Sequence, residues 1–201
     1  MADVVRRATD AVFRSGIMRK FALLCMGALS LLPPLSAHAQ DDAATLERKV
    51  KAAFVYKFAG YVEWPESTFA APDTPITIGV IGDDPLAAEL AQVVSGRTVE
   101  GRPLAVKRLG ESDGFTGLQI LFVGSAERAR LGALARAGPM QPMLIVTEFD
   151  GALNLGSAIN FLISGGRVRF EIALDNAEKR SLKLSSRLLS VAHAVRTGAA
   201  P

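Results

Sequence analysis

Two adjacent glycines, Gly165-Gly166, constrain this chain more than any other feature. They separate the alternating runs Ser157-Ala-Ile-Asn-Phe-Leu-Ile-Ser164 and Arg167-Val-Arg-Phe-Glu-Ile-Ala-Leu174. A two-residue hairpin loop of type I′ needs positive φ at both central positions, which glycine adopts freely. That loop length fixes the register: Ser164 faces Arg167, Leu162 faces Arg169 and Asn160 faces Glu171 on one side, while Ile163/Val168, Phe161/Phe170 and Ile159/Ile172 pair on the other. One face is oily and the other mostly polar. A hairpin alone is marginal in water, so the oily face needs a cover. Leu184, Leu188, Val191 and Val195 recur at helical spacing and predict a helix over Lys183 to His193 that packs on the sheet as the chain ends.

Upstream, strands and helices alternate. Asp41-Asp42 opens a predicted helix with Leu46, Val50, Phe54, Phe58, Tyr61 and Val62 at helical spacing, stopped by Pro65 just past Trp64. Ile76 to Ile81 is dense in β-branched residues and reads as a strand. Gly82-Asp83-Asp84-Pro85 then turns into a helix reaching Val94, with a carboxylate at its cap and proline in its first turn. Further strands are expected over Leu104 to Leu109, Leu118 to Val123 and Met143 to Thr147. The second of these is nearly all apolar, as in a strand buried on both faces. Ser125 is placed to cap a helix over Ala126 to Ala137, with Arg128, Arg130 and Arg136 toward water and Gly138-Pro139 as its stop. This order calls for a single α/β domain: a mostly parallel sheet flanked by helices, closed by the C-terminal antiparallel hairpin and a terminal helix.

Composition has meaning only once the first 39 residues are set aside. Met18-Arg-Lys20 is a short basic start, Phe21 to Leu32 an apolar run and Ala37-His-Ala39 a small-residue cleavage site, the pattern of a secretory signal peptide. The apolar run falls short of the ~20 residues needed to span a bilayer. Residues 1 to 17 precede a complete signal and include Asp3 and Asp10, so Met18 is a candidate translation start. Arg6-Arg7 is poorly placed for a twin-arginine signal, and Leu24 stands before Cys25 where an acylated cysteine expects a small residue. The expected domain is therefore 40–201. Removing the leader takes away five basic and two acidic residues and leaves eighteen of each, so the basic balance belongs to the leader. No charge stripe suggests nucleic acid. The single cysteine and His38 also go, which excludes disulfides, thiolate metal sites and a cysteine nucleophile from the exported chain.

Five stretches resemble one family in the same order: Lys51-Ala-Ala-Phe-Val-Tyr-Lys-Phe58 with Tyr61-Val-Glu-Trp-Pro65, Gly82-Asp-Asp-Pro85, Gly101-Arg-Pro-Leu104, Ile120-Leu-Phe-Val123, and Gly165-Gly-Arg-Val-Arg-Phe-Glu-Ile172 followed by Leu184-Ser-Ser-Arg-Leu-Leu189. The sequence is similar to the YfiR-like family, periplasmic regulators of which the best known repress a membrane-bound diguanylate cyclase. That resemblance implies a non-catalytic regulator in the periplasm and an inner-membrane diguanylate cyclase or sensor kinase as partner. It also implies a homodimer, an outer-membrane lipoprotein as a further partner, and control of cyclic-di-GMP and biofilm-type behaviour. Family members often carry cysteines that can pair, and this chain departs from that pattern.

Three places are candidates for recognition, and none assembles a catalytic set or calls for a cofactor. Asp83 and Asp84 sit at a strand-to-helix turn, where ligands commonly bind in such sheets. Aspartates there also cap the helix and complement its dipole, and two of them would repel a phosphate. Asn160, Leu162, Arg169 and Glu171 share the polar hairpin face, a surface with one apolar anchor that suits a partner or small ligand. Together with the Asp83 turn, that face would form one pocket for a small-molecule effector, the alternative function being a periplasmic solute sensor. Tyr61 and Trp64 are either an aromatic anchor or the closing residues of the core. His193 has no Gly-x-Ser-x-Gly elbow to work with, and no phosphate-binding glycine-lysine loop occurs.

Overall fold

The computed structural model describes residues 36–136 and 141–198; the basic and apolar parts of the expected leader and the expected Gly138-Pro139 stop lie outside them. Contacts divide the chain into residues 1–42 and 43–201. The second unit is built on the β-branched and apolar runs read above. Eight strands form one sheet: β2 (Ile76–Ile81), β3 (Thr98–Val99), β4 (Arg102–Arg108), β5 (Ile120–Val123), β6 (Leu144–Thr147), β7 (Ile159–Ser164), β8 (Arg167–Ala173) and β10 (Ala194–Arg196). Their order across the sheet is β10-β8-β7-β6-β5-β2-β4-β3. The five from β7 to β4 run parallel, β8 turns back on β7, and β10 lies parallel to β8 at the edge.

Helices cover both faces, which is why β5 and β6 are buried along their whole length. On one face, α1 (Ser36–Ala59) and α2 (Asp84–Val94) bury Phe58 and Leu90 against Ile78, Phe122, Val146 and the oily side of the hairpin. On the other, α3 (Arg128–Arg136) sets Leu131 against Leu121, Val123 and Ile145. The hairpin register is the one its loop length dictates, from Ile159↔Ile172 to Ser164↔Arg167, with Gly165 and Gly166 at φ 58° and 69°.

Two predicted helices end earlier than their periodicity suggests. α1 stops at Ala59, before Gly60, and Val62–Glu63 forms β1, paired antiparallel with β9 (Lys183–Leu184). The C-terminal helix is only α5 (Ser186–Val191), because Ser185 caps it with its hydroxyl on the Leu188 N–H at 3.3 Å. The chain then leaves the helix to hydrogen-bond the otherwise open edge of β8 as β10. Leu188 is buried as expected, but Val191 is 59% and Val195 38% exposed. The inner part of the oily hairpin face is covered by α1 instead: Phe54 and Phe58 meet Phe161 and Phe170 with ring centroids 5.2 to 6.1 Å apart, whereas Ile163 beside the turn stays 54% exposed. Ser125 does not cap α3; it begins a 3-10 turn, Ser125–Glu127, and its hydroxyl turns to Glu148. Nor do two of the helix arginines lie idle in water. Arg128 donates to the Asp150 carbonyl over the Phe149 ring, and Arg130 to the carbonyls of Gly110 and Asp113 at 2.8 and 2.9 Å over Phe115.

Candidate functional site

The polar side of the hairpin begins inside the molecule and ends in solvent. Thr147, the last residue of β6, is in register with Asn160 on β7, and Asn160 with Glu171 on β8, so the three side chains share one side of the sheet. Polar groups buried in such a row cost stability unless they are hydrogen-bonded. Here they are. The Thr147 hydroxyl donates to Asn160 Oδ1 at 2.8 Å, and the same oxygen accepts the Phe149 backbone N–H at 3.1 Å. Asn160 Nδ2 donates to Glu171 Oε1 at 3.2 Å, and Ser157 Oγ donates to the Ile159 carbonyl at 2.8 Å. Asn160 is only 3% exposed, because the turn after β6 closes over it. It is thus a fixing group, and what it fixes is the Glu171 carboxylate and the Phe149 turn.

Beyond Asn160 the face is bare. β6 pairs with β7 only at Val146↔Ile159 and Thr147↔Asn160, so the rest of the hairpin runs past the end of β6. The apolar cluster on that side of the sheet includes no residue of β7 or β8. Leu162 is half-buried there, Arg167 and Arg169 are exposed, and Arg196 joins them from β10, its Nη2 3.8 Å from Glu171 Oε2. Three guanidinium groups therefore share a face with one carboxylate and one aliphatic side chain. Such forks bind carboxylates with two parallel hydrogen bonds, so the face suits an acidic protein surface.

The other sequence candidates do not join it. Asp83 caps α2, its Oδ1 accepting the Leu86 N–H at 2.9 Å, and Asp84 lies 3.4 Å from Arg108 in an exposed ion pair. The crevice expected at that strand end is closed by backbone. A Cβ on Gly124 would sit 2.5 Å from the Gly82 carbonyl oxygen, and the Gly124 N–H donates to the Ile81 carbonyl at 2.8 Å. Moreover, β2 and β8 are four strand spacings apart, roughly 19 Å at ~4.8 Å each. The single pocket expected from Asp83, Arg169 and Glu171 is not formed. Tyr61 and Trp64 are partly buried against the core at the end of α1, Trp64 edge-on to Phe69 at 6.3 Å, rather than presented as an anchor.

The structure also brings together groups that sequence reasoning missed. Lys51 on α1, only 12% exposed at its side chain, donates to Glu148 at 2.7 Å and pairs with Glu47 one helical turn away at 2.5 Å. Burial pulls its pKa down, but the two carboxylates outweigh that and hold it above the ordinary lysine value. The Glu47/Lys51 spacing is the only local signal for this cluster. Thr147, Ser157 and Glu148 have none beyond being polar residues at strand ends. Among the described residues, no group of three or more His, Cys, Asp or Glu side chains could hold a metal ion, and no helix is long and apolar enough to cross a membrane.

These features define a class: a doubly covered α/β domain whose hairpin projects past its sheet and offers a basic face. The chain belongs to the YfiR/HmsC-like family, whose sequence profile matches residues 48–193. A comparison with individually curated proteins gives no match.

Proposed function

We propose that the protein is a non-catalytic periplasmic regulator that binds the periplasmic part of an inner-membrane diguanylate cyclase or sensor kinase and lowers its output. For a cyclase, that output is cyclic-di-GMP and the biofilm behaviour it drives. Family membership supports the partner class. The observation that carries the docking surface is the bare face with Leu162, Arg167 and Arg169 around Glu171, whose carboxylate is fixed from beneath by the Asn160 network. A preformed face binds without first losing the entropy of ordering itself. Export follows from the leader, and the periplasmic protein should begin at Gln40 by N-terminal sequencing.

Deleting the gene should raise cyclic-di-GMP or kinase output, and the wild-type gene should restore it. A Leu162→Glu/Arg169→Glu variant, confirmed as folded by circular dichroism, should fail to restore it and should no longer co-purify with the membrane fraction. Unchanged output on deletion, together with equal co-purification of wild type and variant, would overturn the proposal.

A further inference from the structure

Beside Arg196 lies an open cleft of about 630 Å³, between the 3-10 turn Ala152–Leu155, the end of β8 at Ala173, the first turn of α4 (Leu174–Glu178) and the end of β10. That volume lies within the ~300–1,000 Å³ typical of small-molecule sites. Asn154, Asp175, Asn176, Lys179 and Arg196 supply its polar groups.

Asn176 shows what the cleft lacks. It is only 9% exposed, and its Nδ2 donates to the carbonyls of Leu153 at 2.7 Å and Ser157 at 2.8 Å. Both N–H bonds are committed, and two carbonyl partners fix which end of the amide is oxygen. Oδ1 accepts no hydrogen bond from the described residues, yet it is not among the side-chain atoms sealed from solvent without a partner. It is an acceptor held at the cleft wall by the backbone. Arg196 offers the opposite chemistry. Its side chain is 55% exposed and has only long contacts, 3.4 Å to Asn154 Oδ1 and 3.8 Å to Glu171 Oε2. Most of its five donors remain for a ligand.

We infer that the cleft binds a small hydroxycarboxylate of the sugar-acid type, its carboxylate on Arg196 and a hydroxyl donated to Asn176 Oδ1. The neighbouring charges select this class. An ammonium group would look to Asp175, but that carboxylate already holds Lys179 at 3.0 Å, and both cations of the cleft would repel it. A neutral amide oxygen takes a hydroxyl without any change of charge. A carboxylate-free sugar would leave Arg196 unmatched, and a carboxylate without hydroxyls would leave Asn176 Oδ1 unmatched, so each fragment alone binds weakly.

Titration calorimetry and thermal shift with the purified protein test this, using D-glucuronate as the probe and D-glucose, acetate and glycine as comparisons. Glucuronate at millimolar concentration should raise Tm, and the three others should not. Arg196→Gln should weaken glucuronate binding roughly tenfold or more, the loss of a charge-assisted pair, and Arg196→Lys should recover part of it. No shift with glucuronate, an equal shift in wild type and Arg196→Gln, or a shift with glycine in its place would overturn the assignment. The titration uses the isolated protein, so its result is independent of whether a partner docks on the hairpin.

Discussion

Lys51 shows how one residue can tie distant parts of the chain. It joins α1 to Glu148, 97 positions away, from a site 12% exposed. Its folded pKa lies above the ordinary 10.5 because two carboxylates outweigh desolvation. A raised pKa means that folding favours the ammonium form. The stabilisation is therefore complete below pH 10.5 and fades as pH climbs through the higher folded value. Lys51→Met should cost about 2 kcal/mol near neutral pH, since Glu148, 14% exposed, loses a charge-assisted hydrogen bond. The Tm curves of variant and wild type should converge in strong alkali. Asn160 makes the opposite test. Asn160→Asp would place a second carboxylate against Glu171 in place of the Nδ2 donor now 3.2 Å away. We expect a loss of about 2 kcal/mol at neutral pH that recovers on acidification, when one of the two carboxyls takes a proton. A urea titration at neutral and mildly acidic pH reads this directly. Neither role is legible locally. The hairpin register places Asn160 opposite Glu171, but its burial comes from the Phe149 turn, which no hairpin pattern contains.

At the scale of elements, what the sequence reveals depends on how local the deciding contact is. The hairpin register follows from two glycines and is fully local, and so is the Asp83 cap three residues from its N–H. The ends of α1 and α5 are not. Helical periodicity carries on through Tyr61 and Val62 and through Leu184, but Val62 and Leu184 pair with each other as β1 and β9, and the Ser185 N–H reaches the Tyr61 carbonyl at 2.9 Å. Residues more than a hundred positions apart thus override a pattern of period 3.6. The terminal strand β10 is a similar case: the open edge of β8 draws Val195 out of helical register. The hairpin turn itself can be tested. With φ at 58° and 69°, replacing both Gly165 and Gly166 by alanine puts two side chains in the left-handed region, at about 1–2 kcal/mol each. Gly165→Asn should be nearly neutral, because asparagine tolerates that conformation. Denaturant midpoints of the two variants should therefore separate clearly.

For the molecule as a whole, the two sides of the hairpin have different tasks, and substitutions should separate them. Its inner side is core as far as the Phe161/Phe170 pair: Phe58 and Phe170 are 1% and 2% exposed, and Phe161 lies 5.9 Å from the Phe58 ring. Phe58→Ala should cost about 3–5 kcal/mol and lower function only by depleting folded protein. Beyond Asn160 its outer side is uncovered and Arg167 and Arg169 are exposed, so Arg167→Glu and Arg169→Glu should change stability by no more than about 0.5 kcal/mol. If that side meets an acidic partner surface, the two reversals should nonetheless abolish membrane co-purification. Binding of the wild type should weaken as salt rises, because exposed charges are screened beyond ~8–10 Å at physiological ionic strength. The salt response carries the most weight. A docking surface made chiefly of Leu162 and its surroundings would strengthen or hold steady in salt, whereas one made of arginine forks loses affinity. A pull-down from membranes across an ionic-strength series, with wild type and the arginine reversals in parallel, therefore tells an electrostatic clamp from an apolar one whichever membrane protein is the partner.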